Sequence, residues 1–374
     1  MTNNRHRMRF SHAALVAAAL FLSFAGTANA WPPGGNGNGN GGGGPGGGGG
    51  DPPSTGTVYI YHDHAVWTMK PDGSQLTELP VSGVGFGDQP SHDLHGGQRW
   101  FTNRVSDGQP VYPNGRWFTE IWTVSETGVP ALILSEPDIE VLAPPVWLAD
   151  DQSLSFVGER WTFDAIGEPT TLTEAGLYVV DIDYDALGNI VGAVPGSLTL
   201  ILDLSPELRI DADGFDYNSE VAGHSWAPTQ SAFAFGVRHQ EPNTPWDEEI
   251  WVMNLVQPDD SALLSDASGS GWPEWSPDGQ YIGYVSHAGT YIYDFARGRD
   301  RLLGRTPSTA WGISHWSPDG SQFVISHWDN FSGYDGIYRF NARLSGKTLL
   351  VDDSLCPDDN ILFNCTLITL GWRE

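Results

Sequence analysis

Trp275-Ser276-Pro277-Asp278-Gly279 recurs as Trp316-Ser317-Pro318-Asp319-Gly320, 41 residues further on. Each copy leads into an apolar segment ending in Ser-His, Tyr281 to His287 and Phe323 to His327. Proline presets φ for the first central residue of a tight turn. Aspartate bonds its own backbone, and glycine takes a positive φ without steric cost. Tryptophan closes the incoming strand and offers a broad flat surface for packing. The phrase therefore reads strand, turn, strand. A period of about 40–50 residues built from such units indicates a β-propeller blade.

Weaker copies extend the repeat in both directions. Trp226-Ala227-Pro228-Thr229-Gln230 precedes the strand at Ala232–Gly236, and Trp147-Leu148-Ala149-Asp150-Asp151 precedes Leu154–Gly158. The most degenerate copy is His92-Asp93-Leu94-His95-Gly96-Gly97, ahead of Arg99–Thr102. Between these turns lie six alternating strands rich in aromatic and β-branched residues. They begin at Ala65, Glu120, Gly176, Glu249, Thr290 and Gly336. Six hairpins against five turns leave the first unit, Val58 to Leu79, short of an inner strand. Leu367–Trp372 supplies it. The expected fold is all-β: a six-bladed propeller of four-stranded antiparallel blades, closed by pairing of the C-terminal strand with the N-terminal blade. Closure removes the exposed sheet edges.

The Trp-Ser-Pro-Asp-Gly turns, with "Ile-Trp-Val-Met-Asn" at Ile250–Asn254, resemble the TolB-like propeller repeat from about Thr57 to Trp372. The resemblance implies six blades, an envelope location and a role in protein–protein contact. No α/β domain stands before the propeller as it does in TolB. No G-x-S-x-G elbow of the related oligopeptidases is found.

Residues 1–30 read as a secretory signal. Arg5, Arg7 and Arg9 precede the apolar run Ala13–Phe24, and Ala28-Asn29-Ala30 forms the cleavage site. Residues 31–56 read as a disordered linker of Gly, Asn and Pro, and 57–374 as the propeller. Removing the signal leaves 15 Lys+Arg against 46 Asp+Glu, a net of −31. That balance excludes nucleic acid as a partner. It fits a periplasmic or secreted monomer that meets a protein or carbohydrate partner, with no membrane span once the signal is removed. Cys356 and Cys365, the two cysteines, are expected to pair as a disulfide in an exported protein, with free thiols the alternative.

His62, His287 and His327 end the second strand of a blade, and His239 follows the corresponding strand of another. They are expected near one rim. His92, His224 and His315 fall on inner strands beside the channel. Converging imidazoles bind transition metals, so a divalent metal is one possibility. A histidine that fills a turn and bonds a neighbouring carbonyl is the plainer alternative. Asp181–Asn189 and Asp211–Asp216 have the oxygen-rich look of calcium loops. The first lacks the glycine and glutamate that an EF-hand requires, and reads better as a strand entering an Asn/Gly hairpin. No carboxylate pair or Ser-His-Asp order singles itself out as catalytic.

Of sixteen tryptophans, Trp147, Trp226, Trp275, Trp316 and Trp372 occupy equivalent turns and read as packing. Trp272 and Trp311 sit three and five residues before two of them, near the channel mouth. Asp107–Thr119, Trp161–Ala175 and Leu204–Gly223 read as inserts, where recognition loops commonly lie. The expected function is a non-catalytic binding module using His62, His224, His239, His287, His315, His327, Trp272 and Trp311. The alternative is a metal-assisted carbohydrate-active enzyme, a lyase or glycosidase with its site in the channel. Three or more of those histidines within coordinating distance would favour the enzyme.

Overall fold

A computed structural model describes residues 55–62, 65–79, 89–95, 99–105, 119–124, 130–143, 145–148, 152–165, 169–204, 219–239, 247–255, 261–265, 271–286, 289–304, 314–329, 333–341, 347–351 and 367–373. The signal, nearly all of the linker, His287, Trp311, Cys356 and Cys365 lie outside the described residues. For His62, His239 and His327 only the backbone is described. Among the described residues there is no helix, and every sheet is built from antiparallel neighbours.

Among the described residues the strands gather into six sheets. Sheet I orders β26 (Leu367–Arg373), β1 (Thr57–His62), β2 (Ala65–Met69) and β3 (Thr77–Glu78). Sheet II runs β4 (Gln89–His95), β5 (Arg99–Val105), β6 (Thr119–Val124), β7 (Pro130–Leu134). Sheet III contains β8 (Ile139–Val141), β9 (Val146–Trp147), β10 (Ser153–Phe163), β11 (Pro169–Tyr184), β12 (Ile190–Ala193) and β13 (Thr199–Asp203). Sheet IV runs β14 (Ser219–Trp226), β15 (Ala232–His239), β16 (Asp247–Asn254), β17 (Ser261–Ser265). Sheet V runs β18 (Gly271–Trp275), β19 (Tyr281–Ser286), β20 (Gly289–Asp294), β21 (Arg299–Gly304). Sheet VI runs β22 (Ser314–Trp316), β23 (Gln322–Asp329), β24 (Gly333–Asn341), β25 (Lys347–Val351).

The arrangement is an all-β, propeller-like fold whose core lies between sheets rather than within one. Ile121 and Ile133 of sheet II pack with Leu154 and Phe156 of sheet III. Val157 and Leu177 meet Phe233 and Phe235 of sheet IV. Ala234 and Val252 meet Trp275 and Tyr284 of sheet V. Val285 and Ile292 meet Phe323 and Phe340 of sheet VI, and Val324 and Ile337 meet Val58, Ile60 and Trp372 of sheet I. Burial at each seam removes apolar surface worth about 25 cal/mol per Å² from water.

Both strong turn copies fold alike, around the serine. Ser276 Oγ donates to Asp278 Oδ1 (2.7 Å) and accepts the Tyr281 amide (2.9 Å). Ser317 Oγ donates to Asp319 Oδ1 (2.6 Å) and accepts the Gln322 amide (2.9 Å). Gly279 and Gly320 take φ of 70° and 66°, as the sequence requires. In the weaker copy Gln230 occupies the same slot with φ 54°. Successive turns lie close together: a Cβ added at Gly279 or Gly320 would stand 3.6 Å from Cδ of Pro228 or Pro277.

Two expectations are corrected. Not every sheet has four strands: sheet III has six. Strand β11 is 16 residues long and outruns its neighbours. Gly176–Val179 pair with β13, while Ile182–Tyr184 pair with β12. The turn between β11 and β12 is held by Asp185, which accepts the amides of Leu187 and Asn189 (2.8 Å each). That matches the hairpin reading of Asp181–Asn189. Second, Trp161–Ala175 is not a free insert. It prolongs the β10–β11 hairpin, with Trp161 opposite Leu172 and Phe163 opposite Pro169. Trp161 is buried against Phe163 and Leu172. Arg160 bridges Asp138 (3.3 Å) and Glu174 (3.2 Å), and Tyr178 donates to Glu174 (3.1 Å). Burial, then the Glu174 carboxylate, pushes the Tyr178 phenol up from its ordinary value.

Candidate functional site

The first strand of each sheet lies beside the first strands of its neighbours: β14 by β18, β18 by β22, β22 by β26, β26 by β4, and β4 by β9. Two of these strands, β14 and β18, depart from regular pairing three residues before the tryptophan. In β14 the register shifts between Val221 and His224, where Gly223 has φ 82°. In β18 it shifts between Gly271 and Glu274, where Trp272 has φ 54°. A bulge of this kind re-aims the chain and the side chains around it. A large aromatic residue in the left-handed region is a genuine outlier that costs on the order of 1–3 kcal/mol.

Trp272 keeps that conformation by packing across the seam. A Cβ on Gly223 would stand 2.7 Å from Trp272 Cε3, so only glycine lets the indole lie where it does. Along β18, Gly271, Pro273 and Trp275 are buried, whereas Trp272 and Glu274 are half-buried. Glu274 Oε1 lies 3.2 Å from His315 Nδ1 on β22, with side-chain exposures of 27% and 12%. The Trp316 indole donates to the Glu274 carbonyl (3.0 Å). Glu274 and His315 thus form a partly solvated pair on the first strands of sheets V and VI, while Trp272 packs on Gly223 of sheet IV.

His224 has a different fate. Ser155 Oγ donates to the Val146 carbonyl (3.2 Å) and accepts the Trp226 indole (2.7 Å). Its single hydrogen being committed, the 3.2 Å contact to His224 Nε2 is donated by the ring. His224 Nδ1 is then a bare acceptor, buried and without a hydrogen-bond partner among the described residues. Phe233 meets the ring edge-on at 6.1 Å. Burial pushes the His224 pKa down from 6.5 to about 3, so the ring is neutral and structural.

The expected gathering of histidines is therefore divided. His224 seals the seam between sheets III and IV, and His315 pairs with Glu274. His62 ends β1, His239 ends β15 and His327 lies near the end of β23, each on the second strand of its sheet as expected. Among the described residues no three His, Cys, Asp or Glu side chains gather as a metal group. Trp147, Trp275, Trp316 and Trp372 are buried and Trp226 is half-buried, which matches their packing role. Glu274 was missed by sequence reading. Its signal was present: it stands immediately before the tryptophan, where His315 and Ser225 stand in neighbouring repeats. Ser225 accepts the Trp275 amide (3.0 Å), so this position links consecutive sheets.

The first strands are also one-sided in charge. By sequence β4, β9, β14, β18, β22 and β26 carry Asp93, Glu220 and Glu274 but a single guanidinium, Arg373.

No family model and no curated protein matches this sequence. Among solved structures, TolB from Acinetobacter baumannii is 18% identical, with a TM-score of 0.40, covering 63% of this chain. The match spans about half of that TolB, 49% of its length. A chain of a nidogen/laminin complex is 9% identical (TM-score 0.46; 78% of this chain and 91% of that one). Oligogalacturonate lyase from Vibrio parahaemolyticus is 16% identical (TM-score 0.38; 78% and 72%). Likenesses this distant bear on neither ligand nor activity.

Proposed function

We propose that this chain is an exported six-bladed propeller of the TolB-like kind that works as a binding module in the periplasm or outside the cell. Residues 1–30 direct export, residues 31–56 tether, and the six sheets are the blades of one closed ring. Closure is supported by the β1–β26 ladder, in which Val58 faces Trp372. It is supported again by the Trp372 indole on the Thr55 carbonyl (3.1 Å) and by Arg339 on the Pro71 carbonyl (2.6 Å). In such a ring the first strands surround an axial funnel, and half-buried side chains on them meet solvent there.

The observation that carries the binding role is Trp272, an indole whose backbone is held at φ 54° and which stays half-buried on the first strand of sheet V. Strain of that kind persists where the surrounding packing fixes it, and it clusters at functional sites. The test is capture from an envelope extract by the full chain, compared with Trp272→Leu. The proposal expects a defined partner that is lost with Trp272→Leu while the thermal melt shifts by only a few degrees. Equal capture by both proteins would overturn it.

A further inference from the structure

We infer that the β12–β13 edge of sheet III is a second docking surface, separate from Trp272, and that it receives a segment of another protein combining apolar side chains with Lys or Arg. Among the described residues seven large apolar side chains are exposed, and four of them, Leu187, Val191, Val194 and Ile201, belong to this one sheet and its connecting turns. Leu187 is 88% exposed and Val191 53%. The other three, Leu132, Leu302 and Leu349, hold one repeated position, opposite Trp122, Tyr291 and Tyr338 on third strands. Sheet III departs from the repeat. In β7 and β21 a bulge adds one residue, Ile133 or Leu303, and that residue is buried. In β13 the extra residue is Ile201, which is exposed, while Leu200 packs into the core instead. Val191 is likewise the extra residue of a bulge in β12. A Cβ on Gly192 would stand 3.4 Å from the Leu132 carbonyl, so β12 lies against β7 at its exposed leucine. Clustered apolar exposure of this kind marks an interaction surface.

The surrounding charge selects the occupant. Asp181, Asp183, Asp185 and Asp203 are exposed on the same strands and turn. Residues 117–208 include 16 Asp+Glu and one basic residue, Arg160, which is already engaged by Asp138 and Glu174. Apolar side chains set among carboxylates favour a partner with apolar anchors and positive charge, and like charge is penalised. A second copy of this chain would bring the same carboxylates, and an anionic lipid surface would be repelled in the same way. Residues 31–56 contain no Lys or Arg, so the chain's own linker does not match. Leu302 follows Arg301, and Leu349 stands two residues from Lys347, so neither of those exposed leucines shares the acidic setting.

The experiment titrates the purified full chain, by fluorescence anisotropy, with a capped peptide alternating Leu and Lys and with its Leu/Glu and Ser/Lys counterparts. The Leu/Lys peptide should bind about tenfold more tightly than either counterpart. Leu187→Ser combined with Val191→Ser should weaken it about tenfold through lost apolar burial. Asp183→Asn should weaken it severalfold at low salt and little at high salt. Leu302→Ser combined with Leu349→Ser should change binding less than about twofold, which separates a site from diffuse attraction. Adding the Leu/Lys peptide should also slow hydrogen exchange in β12 and β13, a readout that needs no variant. Equal binding of the Leu/Glu peptide, equal losses from the two serine pairs, or unchanged exchange in β12 and β13 would each overturn the inference. So would a dimer that dissociates when Leu187 and Val191 are replaced, since the occupant would then be a second copy. Trp272→Leu should leave peptide binding unchanged, so this surface and the Trp272 reading stand or fall separately.

Discussion

Single residues set the turn, and their contributions are separable. Ser317 is fully buried, and its hydroxyl serves Asp319 and the Gln322 amide. Ser317→Ala leaves that amide unsatisfied, so chemical denaturation should show a loss of about 1–3 kcal/mol. Gln230 is the reverse case. It holds the left-handed slot filled by glycine in the strong copies, so Gln230→Gly should raise stability by about 0.5–1 kcal/mol, read as a higher melting temperature. His224 makes stability depend on acid. Its folded pKa is about 3 against an ordinary 6.5, so the unfolded chain binds the extra proton. Its full contribution is present above about pH 6.5 and is lost as pH falls toward 3, at up to about 1.4 kcal/mol per pH unit. His224→Gln should flatten that part of the stability–pH curve. Proline, aspartate and glycine could be read in the sequence because their preferences are local. The serine's part could not, since it is defined by a partner five residues away in a folded hairpin.

Among the elements, sheet III shows where local reading stops. Alternation identified β11 and the Asp185–Asn189 turn, but the rest of that strand's pairing depends on what packs beside it. Ile182 and Ile190 belong to the same cluster as Ile121 and Ile133 of sheet II, so β12 is held by a neighbouring sheet as well as by its own ladder. Asp185→Ala removes the acceptor for two turn amides. Hydrogen exchange should then quicken at Val194, whose amide bonds the Asp181 carbonyl across the hairpin, while protection in sheets IV to VI is unchanged. The first-strand bulges were hidden for a related reason. Gly223 hints at one, but nothing local announces that Trp272 takes the same backbone conformation. Its indole is set by Gly223, 49 residues earlier in the chain. The half-exposed partnership of Glu274 with His315 likewise needs two sheets brought side by side.

At the scale of the whole molecule, the seam between sheets VI and I is the vulnerable one, because it joins the most distant parts of the chain. Trp372 is 2% exposed, packs with Val58 and Val324 and bonds Thr55. Trp372→Ala should cost about 3–5 kcal/mol, the range for emptying a large aromatic site, measured by thermal melting and by faster proteolysis in sheet I. The repeat and its periodicity made the all-β, bladed character plain from sequence. The seams depend on which apolar residues of distant repeats meet, and a repeat unit does not specify its neighbours. Thr55 and Trp372 being in contact carries an engineering consequence. A brief peptide loop can splice those two points, and the backbone can then be cut at the exposed Leu187 bend instead, giving a permuted polypeptide with new ends far from its original junction.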